Sequence, residues 1–177
     1  MRTMTADASE IRLEPLSLDH LDGIMTWVND PEVTFYFARL GRIITREEEA
    51  EMVKKLIAST TDVLFSIFEN DEYVGQIGLS QIYWPSRNGR MGIMLCRDAW
   101  GRRIGRRAAH LLIEHAFTEL SLHKIWLIVR SDNLKGRRIW SSIGFREEGQ
   151  LRDEYFVKGT YHDMVRFGLL APEYITS

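Results

Sequence analysis

Cysteine is nearly missing from this chain: Cys96 stands alone among 177 residues. A single thiol excludes an internal disulfide and any multi-cysteine metal site, so a reducing cytoplasm is the natural setting and no metal is expected. Long apolar runs are missing too. None reaches the roughly 20 residues that a membrane-spanning helix requires. The opening MRTMTADASE lacks the apolar stretch of a secretory signal. Neither membrane insertion nor export is therefore expected. A surplus of one sign of charge is also absent. The 23 basic and 25 acidic residues leave a net charge of −2, which argues against bulk nucleic-acid binding. No internal repeat or low-complexity tract occurs. With 45 % apolar and 27 % charged residues, the chain suits one globular domain with a real core. The expected layout is a flexible leader over residues 1–9 and a single domain over 10–172.

What the chain does have is concentrated in residues 90–107, RMGIMLCRDAWGRRIGRR. An apolar strand, Met91 to Cys96, enters a turn marked by Gly101 and Gly105. A helical stripe follows, with Ile104, Ala108, Leu111, Leu112 and Ala116 on one face. A strand that turns sharply into a helix presents free N–H groups and the positive end of the helix dipole, the makings of an anion site. Arg97, Arg102, Arg103, Arg106 and Arg107 crowd it against one acid, Asp98. A phosphate-bearing ligand is the reading this supports.

The remaining elements follow in order. Residues 10–15 read as a strand ended by Pro15. Ser17 caps a helix to about Val28, with Leu18, Leu21, Ile24 and Met25 inward. Asn29-Asp30-Pro31 breaks it. The aromatic stretch VTFYFARLG, with Phe35 and Tyr36, is either a core-covering loop or one wall of an acceptor pocket. Thr45 and Glu48 form a capping box that opens a helix to about Ala58, with Met52, Val53, Leu56 and Ile57 inward. Glu47, Glu48, Glu49 and Glu51 crowd its start, either as partners of the helix dipole or as an acidic rim for a cationic substrate.

Two strands, VLFSIFE and YVGQIGLSQI, meet through Asn70-Asp71, which suits a tight hairpin. The segment Lys124 to Arg130 reads as a buried parallel strand. Asp132 or Asn133 caps a last helix that Gly144 stops. Two long strands then join near Lys158-Gly159. The order predicts a mixed α/β (α+β) sheet flanked by helices, not a doubly wound nucleotide fold.

Several motifs in this order are shared with a known family. NDPEV follows the first helix, IMLCRDAWGRRIG spans the central strand and loop, and IVRSDNLKGRRIWSSIGF leads into EEGQLRDEYFVKGTYHD. From Ile11 to Leu170 the chain resembles the GNAT superfamily of acyl-CoA-dependent N-acyltransferases. Within it, the branch of ribosomal-protein N-terminal and spermidine acetyltransferases is the most similar. The resemblance implies a mostly antiparallel sheet with a splayed central parallel pair, and acetyl-CoA as co-substrate.

The family's pyrophosphate loop has Gln or Arg, two residues, Gly, one residue, then Gly or Ala. It falls on Trp100, Gly101, Arg102, Arg103, Ile104 and Gly105, with Arg106 beside it. Gly105 fits; Trp100 and Arg103 depart. The amides can still face phosphate if Arg103 keeps a negative φ, where a side chain costs little. The resemblance also implies that Ile93, Met94 and Leu95 pair with the pantetheine arm and that Asn133 touches it. It implies too that the acceptor enters between the first two helices and the C-terminal hairpin.

The implied reaction is direct attack of a neutral amine on a thioester, which needs proximity and proton transfer. Where the family often has a basic Glu, this chain has Arg90. Where it has an acidic Tyr, this chain has Trp140, read as packing on the cofactor arm. Ser141 and Tyr155 are the candidates for proton transfer. Phe35, Tyr36, Glu51 and Tyr161 are the candidates for holding the acceptor. His162 reads as a surface or hinge residue, His110 as structural or near the cofactor, and Cys96 as a small core residue. Acceptors left open are a polyamine, a protein N-terminus, an amino sugar or an aminoglycoside. A homodimer is also left open. The rivals are an acyl-CoA-binding sensor that has lost catalysis and a nucleic-acid module built on the arginines.

Overall fold

The computed structural model describes residues 3–6, 11–35, 42–157 and 159–175. Eight strands form one sheet in the order β1-β2-β3-β4-β5-β6-β8-β7. They are β1 (Met4–Ala6), β2 (Ile11–Pro15), β3 (Val63–Glu69), β4 (Glu72–Tyr83), β5 (Asn88–Leu95), β6 (Lys124–Arg130), β7 (Arg146–Val157) and β8 (Thr160–Leu170). Every neighbouring pair is antiparallel except β5 and β6. The helices are α1 (Leu21–Val28), α2 (Arg46–Ile57), α3 (Ile104–Thr118), α4 (Leu134–Ile143) and α5 (Ala171–Ile175). Among the described residues no helix is long and apolar enough to cross a membrane.

Two apolar layers follow from the period-two alternation of the strands. On one face Ile11, Phe65, Ile77, Met91, Ile125 and Leu127 pack with Ile104, Ala108, Leu112 and Ala116 of α3. On the other, Met94, Tyr73 and Leu64 pack with Ile24, Trp27 and Val28 of α1 and Val53 of α2. The β3–β4 hairpin turns on Asn70 and Asp71, both with positive φ (49° and 65°), the tight turn whose twist matches the flanking strands. The capping box at Thr45 and Glu48 is formed in both directions. The Asn133 side chain caps α4, and Gly144 ends it in the left-handed region at φ 113°.

Some expectations fail for physical reasons. Residues 1–9 were expected to be a flexible leader, yet Met4–Ala6 pair with Ile11–Leu13 as an edge strand. The last helix runs to Ile175, past the expected boundary at 172. Ser17 caps a short 3-10 turn, Leu18–His20, before α1 begins, and Leu18 is exposed. Met52 and Ile57, expected inward, face solvent, while Glu49 and Val53 are buried. α2 rests on a stripe only one residue wide, so neighbours on either side of it stay wet.

Candidate active site

β5 and β6 pair over three residues only, Asn88↔Lys124, Gly89↔Ile125 and Arg90↔Trp126. Beyond Arg90 they diverge, and β5 runs on to Leu95 with an unpaired edge. The Cys96 N–H bonds the Val74 carbonyl of β4 at 2.9 Å. Because backbone groups alternate sides along a strand, those of Leu95 and Ile93 face the open edge and those of Met94 face β4. Of Ile93, Met94 and Leu95, two thus have backbone groups on the open edge. The indole N–H of Trp100 already donates to the Leu95 carbonyl at 3.1 Å.

The loop after β5 corrects the expectation for Arg103. Its φ is +61°, in the left-handed region, and it forms the N-cap of α3 without a side-chain cap bond. The chain therefore needs the same backbone shape that a glycine would give and takes it with an arginine, at a cost of about 1–2 kcal/mol. Gly101 has φ +77° with open space where a side chain would stand. Gly105 faces the strand instead. A Cβ there would lie 3.3 Å from Leu95 and 3.5 Å from Ile93, so this glycine lets α3 sit close on β5.

Most of the loop's arginines are engaged by the chain itself. Glu69, buried at the end of β3, accepts from Arg102 and, at 3.0 Å, from Arg107. Arg97 pairs with Glu32 at 3.0 Å. Arg106 donates to the Ser142 carbonyl at 3.0 Å, tying α3 to α4. Among the described residues only Arg103 of the five has no such partner. The loop offers an uncapped helix start, backbone N–H groups at Ile104 to Arg106 and one free guanidinium, which fits a pyrophosphate.

Beyond the cleft, Asn133 caps α4 and Trp140 lies within it. Asn133 Oδ1 accepts from the Gly136 N–H at 2.9 Å, so its first duty is to the helix. The half-buried Trp140 ring packs edge-on against Phe145 at 5.5 Å.

The opposite wall carries residues whose importance the sequence did not announce. Since Ile125, Leu127 and Val129 face α3, Trp126, Ile128 and Arg130 face the other way. Arg90 shares their side, with its guanidinium 5.9 Å from the Trp126 ring; Arg166 of β8 lies 4.1 Å from the same ring. Tyr155 comes from β7, whose register slips between Leu151 and Tyr155. Asp153 sits in that bulge at φ 50°, and its N–H is held by Asp163 at 2.8 Å. The bulge bends the hairpin, and the Tyr155 hydroxyl accepts from Arg90 Nη2 at 3.4 Å. Arg130 is buried, bonds Asp132 at 2.7 and 2.8 Å and lies 4.8 Å from the Phe35 ring. That hydrogen bonding holds the Asp132 carboxyl below its usual range.

The other candidates lie elsewhere. Ser141 is exposed and lines a groove with Arg137, Glu147 and Phe167, beside β7 and β8 rather than in the β5–β6 splay. Its position in the second half of α4 points it outward, a helical-phase effect that the motif alone does not show. Glu51 is exposed and bonds Lys54 one turn on, at 2.6 Å. Tyr161 is 61 % exposed and packs at a tilt against the Phe156 ring at 4.8 Å near the hairpin end. Tyr36 lies outside the described residues. Cys96 is half-buried with Sγ 3.5 Å from Thr26 Oγ1, and burial pushes its thiol up, which suits a packing role.

An open β-strand edge beside a splayed parallel neighbour, with an anion loop at its end, is the architecture of an acyl-CoA site. The model of the acetyltransferase (GNAT) domain family matches residues 10–146, and the chain belongs to that family. It is an acetyl-CoA-dependent N-acetyltransferase. It is 29 % identical over 174 residues to the uncharacterized N-acetyltransferase p20 of Bacillus licheniformis, covering 96 % of this chain and 98 % of that one. It is 27 % identical over 169 residues to the spermidine N(1)-acetyltransferase of Escherichia coli K12, covering 95 % and 90 %. Among solved structures, the spermidine N-acetyltransferase of Vibrio cholerae in complex with CoA and spermine superposes with a TM-score of 0.87 at 26 % identity. That match covers 93 % of this chain and 98 % of the other.

Proposed function

We propose that this enzyme transfers the acetyl group of acetyl-CoA to a small primary amine or a peptide N-terminus, by direct attack within a ternary complex. The observation that carries the reading is the splay, which stops pairing at Arg90↔Trp126 and leaves β5 open toward the loop at Gly101 to Arg106. In this reading Ile93 and Leu95 align the thioester arm, while Arg103 and the first amides of α3 take the pyrophosphate. The amine enters over Trp126 and Tyr155. One bond forms between amine nitrogen and acetyl carbon, the carbon–sulfur bond breaks, and one proton passes from nitrogen to sulfur. In this reading Tyr155 passes that proton, a role its hydroxyl beside Arg90 supports.

A cysteine nucleophile is not needed, which agrees with the burial of Cys96. The relatives named for spermidine favour a small amine. Glu48 and Glu51 do not single out a polycation, because Glu48 is held by Arg42 at 2.7 Å and Glu51 by Lys54.

The testing experiment is a thiol-release screen with acetyl-CoA and a panel of amines. Turnover with at least one amine is expected. Tight acetyl-CoA binding without any turnover would favour a sensor, the reading that Arg90 and Trp140 otherwise invite.

A further inference from the structure

The acceptor wall is short of negative charge at one place. Arg90 is half-buried at the apex of the splay, in the last residue pair before β5 and β6 part. Among the described residues no carboxylate lies within ion-pair distance of it; its contacts are the Tyr155 hydroxyl and the Trp126 ring. Two acids of the neighbouring strands and loop are engaged by other cations. Glu148 receives Lys124 and, at 3.5 Å, Arg166. Asp132 receives Arg130 through both oxygens. A partly desolvated guanidinium without a counterion is unfavourable, and its planar fork matches a carboxylate through two parallel hydrogen bonds. The phenol and the indole bracket it without neutralising it.

We propose that the acceptor is an amino acid-like molecule, a primary amine that also carries a carboxylate, and that Arg90 binds that carboxylate. The proposal rests on the acetyltransferase reading above and narrows its substrate class. Placed at the apex, the carboxylate sets the amine a few bonds away, beside the open β5 edge where the acetyl carbon must lie. A polyamine would bring a second cation against Arg90 and Arg166 instead.

The test measures thiol release with glycine, β-alanine, γ-aminobutyrate, aspartate and glutamate, each against its α- or terminal carboxamide, with spermidine alongside. For at least one pair, kcat/KM should favour the carboxylate by tenfold or more. Arg90→Gln should bring that ratio close to one by raising the amino acid KM, with the acetyl-CoA KM unchanged, and Arg90→Lys should keep part of the preference. Better turnover of the carboxamides or of spermidine, or a preference that survives Arg90→Gln, would overturn the proposal and leave the acetyltransferase reading standing. If no amine turns over, that reading fails instead, and the anion site is read by calorimetry with glutarate on the CoA-loaded protein. Glutarate binding that Arg90→Gln abolishes upholds the site. No binding, or equal binding by both proteins, overturns it.

Discussion

The loop after β5 and the apex of the splay use arginine in opposite ways. In the loop five arginines look like one cationic patch, yet four are held by Glu69, Glu32 or the Ser142 carbonyl, leaving Arg103 alone among the described residues. At the apex a single arginine, unremarkable by count, meets no acid among the described residues. A run of like charges thus says little about free charge, because long side chains find partners from other elements. An isolated charge on an inward-facing strand position says more, since neighbouring strands fix what can reach it.

The largest effect expected is on chemistry beside the apex. Tyr155→Phe should lower kcat about 100-fold or more at unchanged acetyl-CoA KM, since a positioned acid or base typically contributes roughly 10²- to 10⁴-fold. A kcat within a factor of two of the parent would remove Tyr155 from proton transfer. Next comes the engaged half of the loop. Glu69→Ala should cost about 1–3 kcal/mol in denaturant unfolding, because it removes a buried carboxylate that two arginines share. If stability stays within about 0.5 kcal/mol, those arginines are solvated rather than clamped.

A smaller change of opposite sign is expected at Arg103. Arg103→Gly should stabilise the fold by about 1 kcal/mol by relieving a left-handed residue, while weakening CoA binding in calorimetry. Stabilisation without weaker binding would show that the side chain does not touch phosphate. The smallest effect is electrostatic. The Asp132 carboxyl is held low by Arg130, so its contribution is present above its unfolded value of about 3.9 and is lost as pH falls through the lower folded value. The stability gap between the parent and Asp132→Asn should therefore be flat near neutrality and shrink only in acid, as thermal unfolding from pH 7 to 3 would show.

Local chemistry made much of this fold legible. Asn70-Asp71, the Thr45–Glu48 box and Gly144 each act through backbone shapes that a few neighbouring residues dictate. The mixed sheet follows from the order of those elements, and the splay was implied only by the family's motifs. The arginine clamp was hidden because Glu69 lies more than thirty residues from Arg102. Arg103 misled because the loop's shape outweighs the residue's own preference. Trp126 looked like one apolar residue in a buried run; period-two alternation could have put it with Arg90, had the partner strand been known. Tyr155 reaches Arg90 only through a bulge, and a bulge leaves little trace in a string of polar residues.

The division between loop and apex is tested most directly by two variants assayed for both substrates. Arg103→Glu should raise the acetyl-CoA KM about tenfold or more, as loss of a charge-assisted contact implies, and leave the acceptor KM alone. Arg90→Gln should do the reverse. A crossed result, with Arg90→Gln weakening acetyl-CoA and Arg103→Glu weakening the acceptor, would contradict the assignment of the two walls.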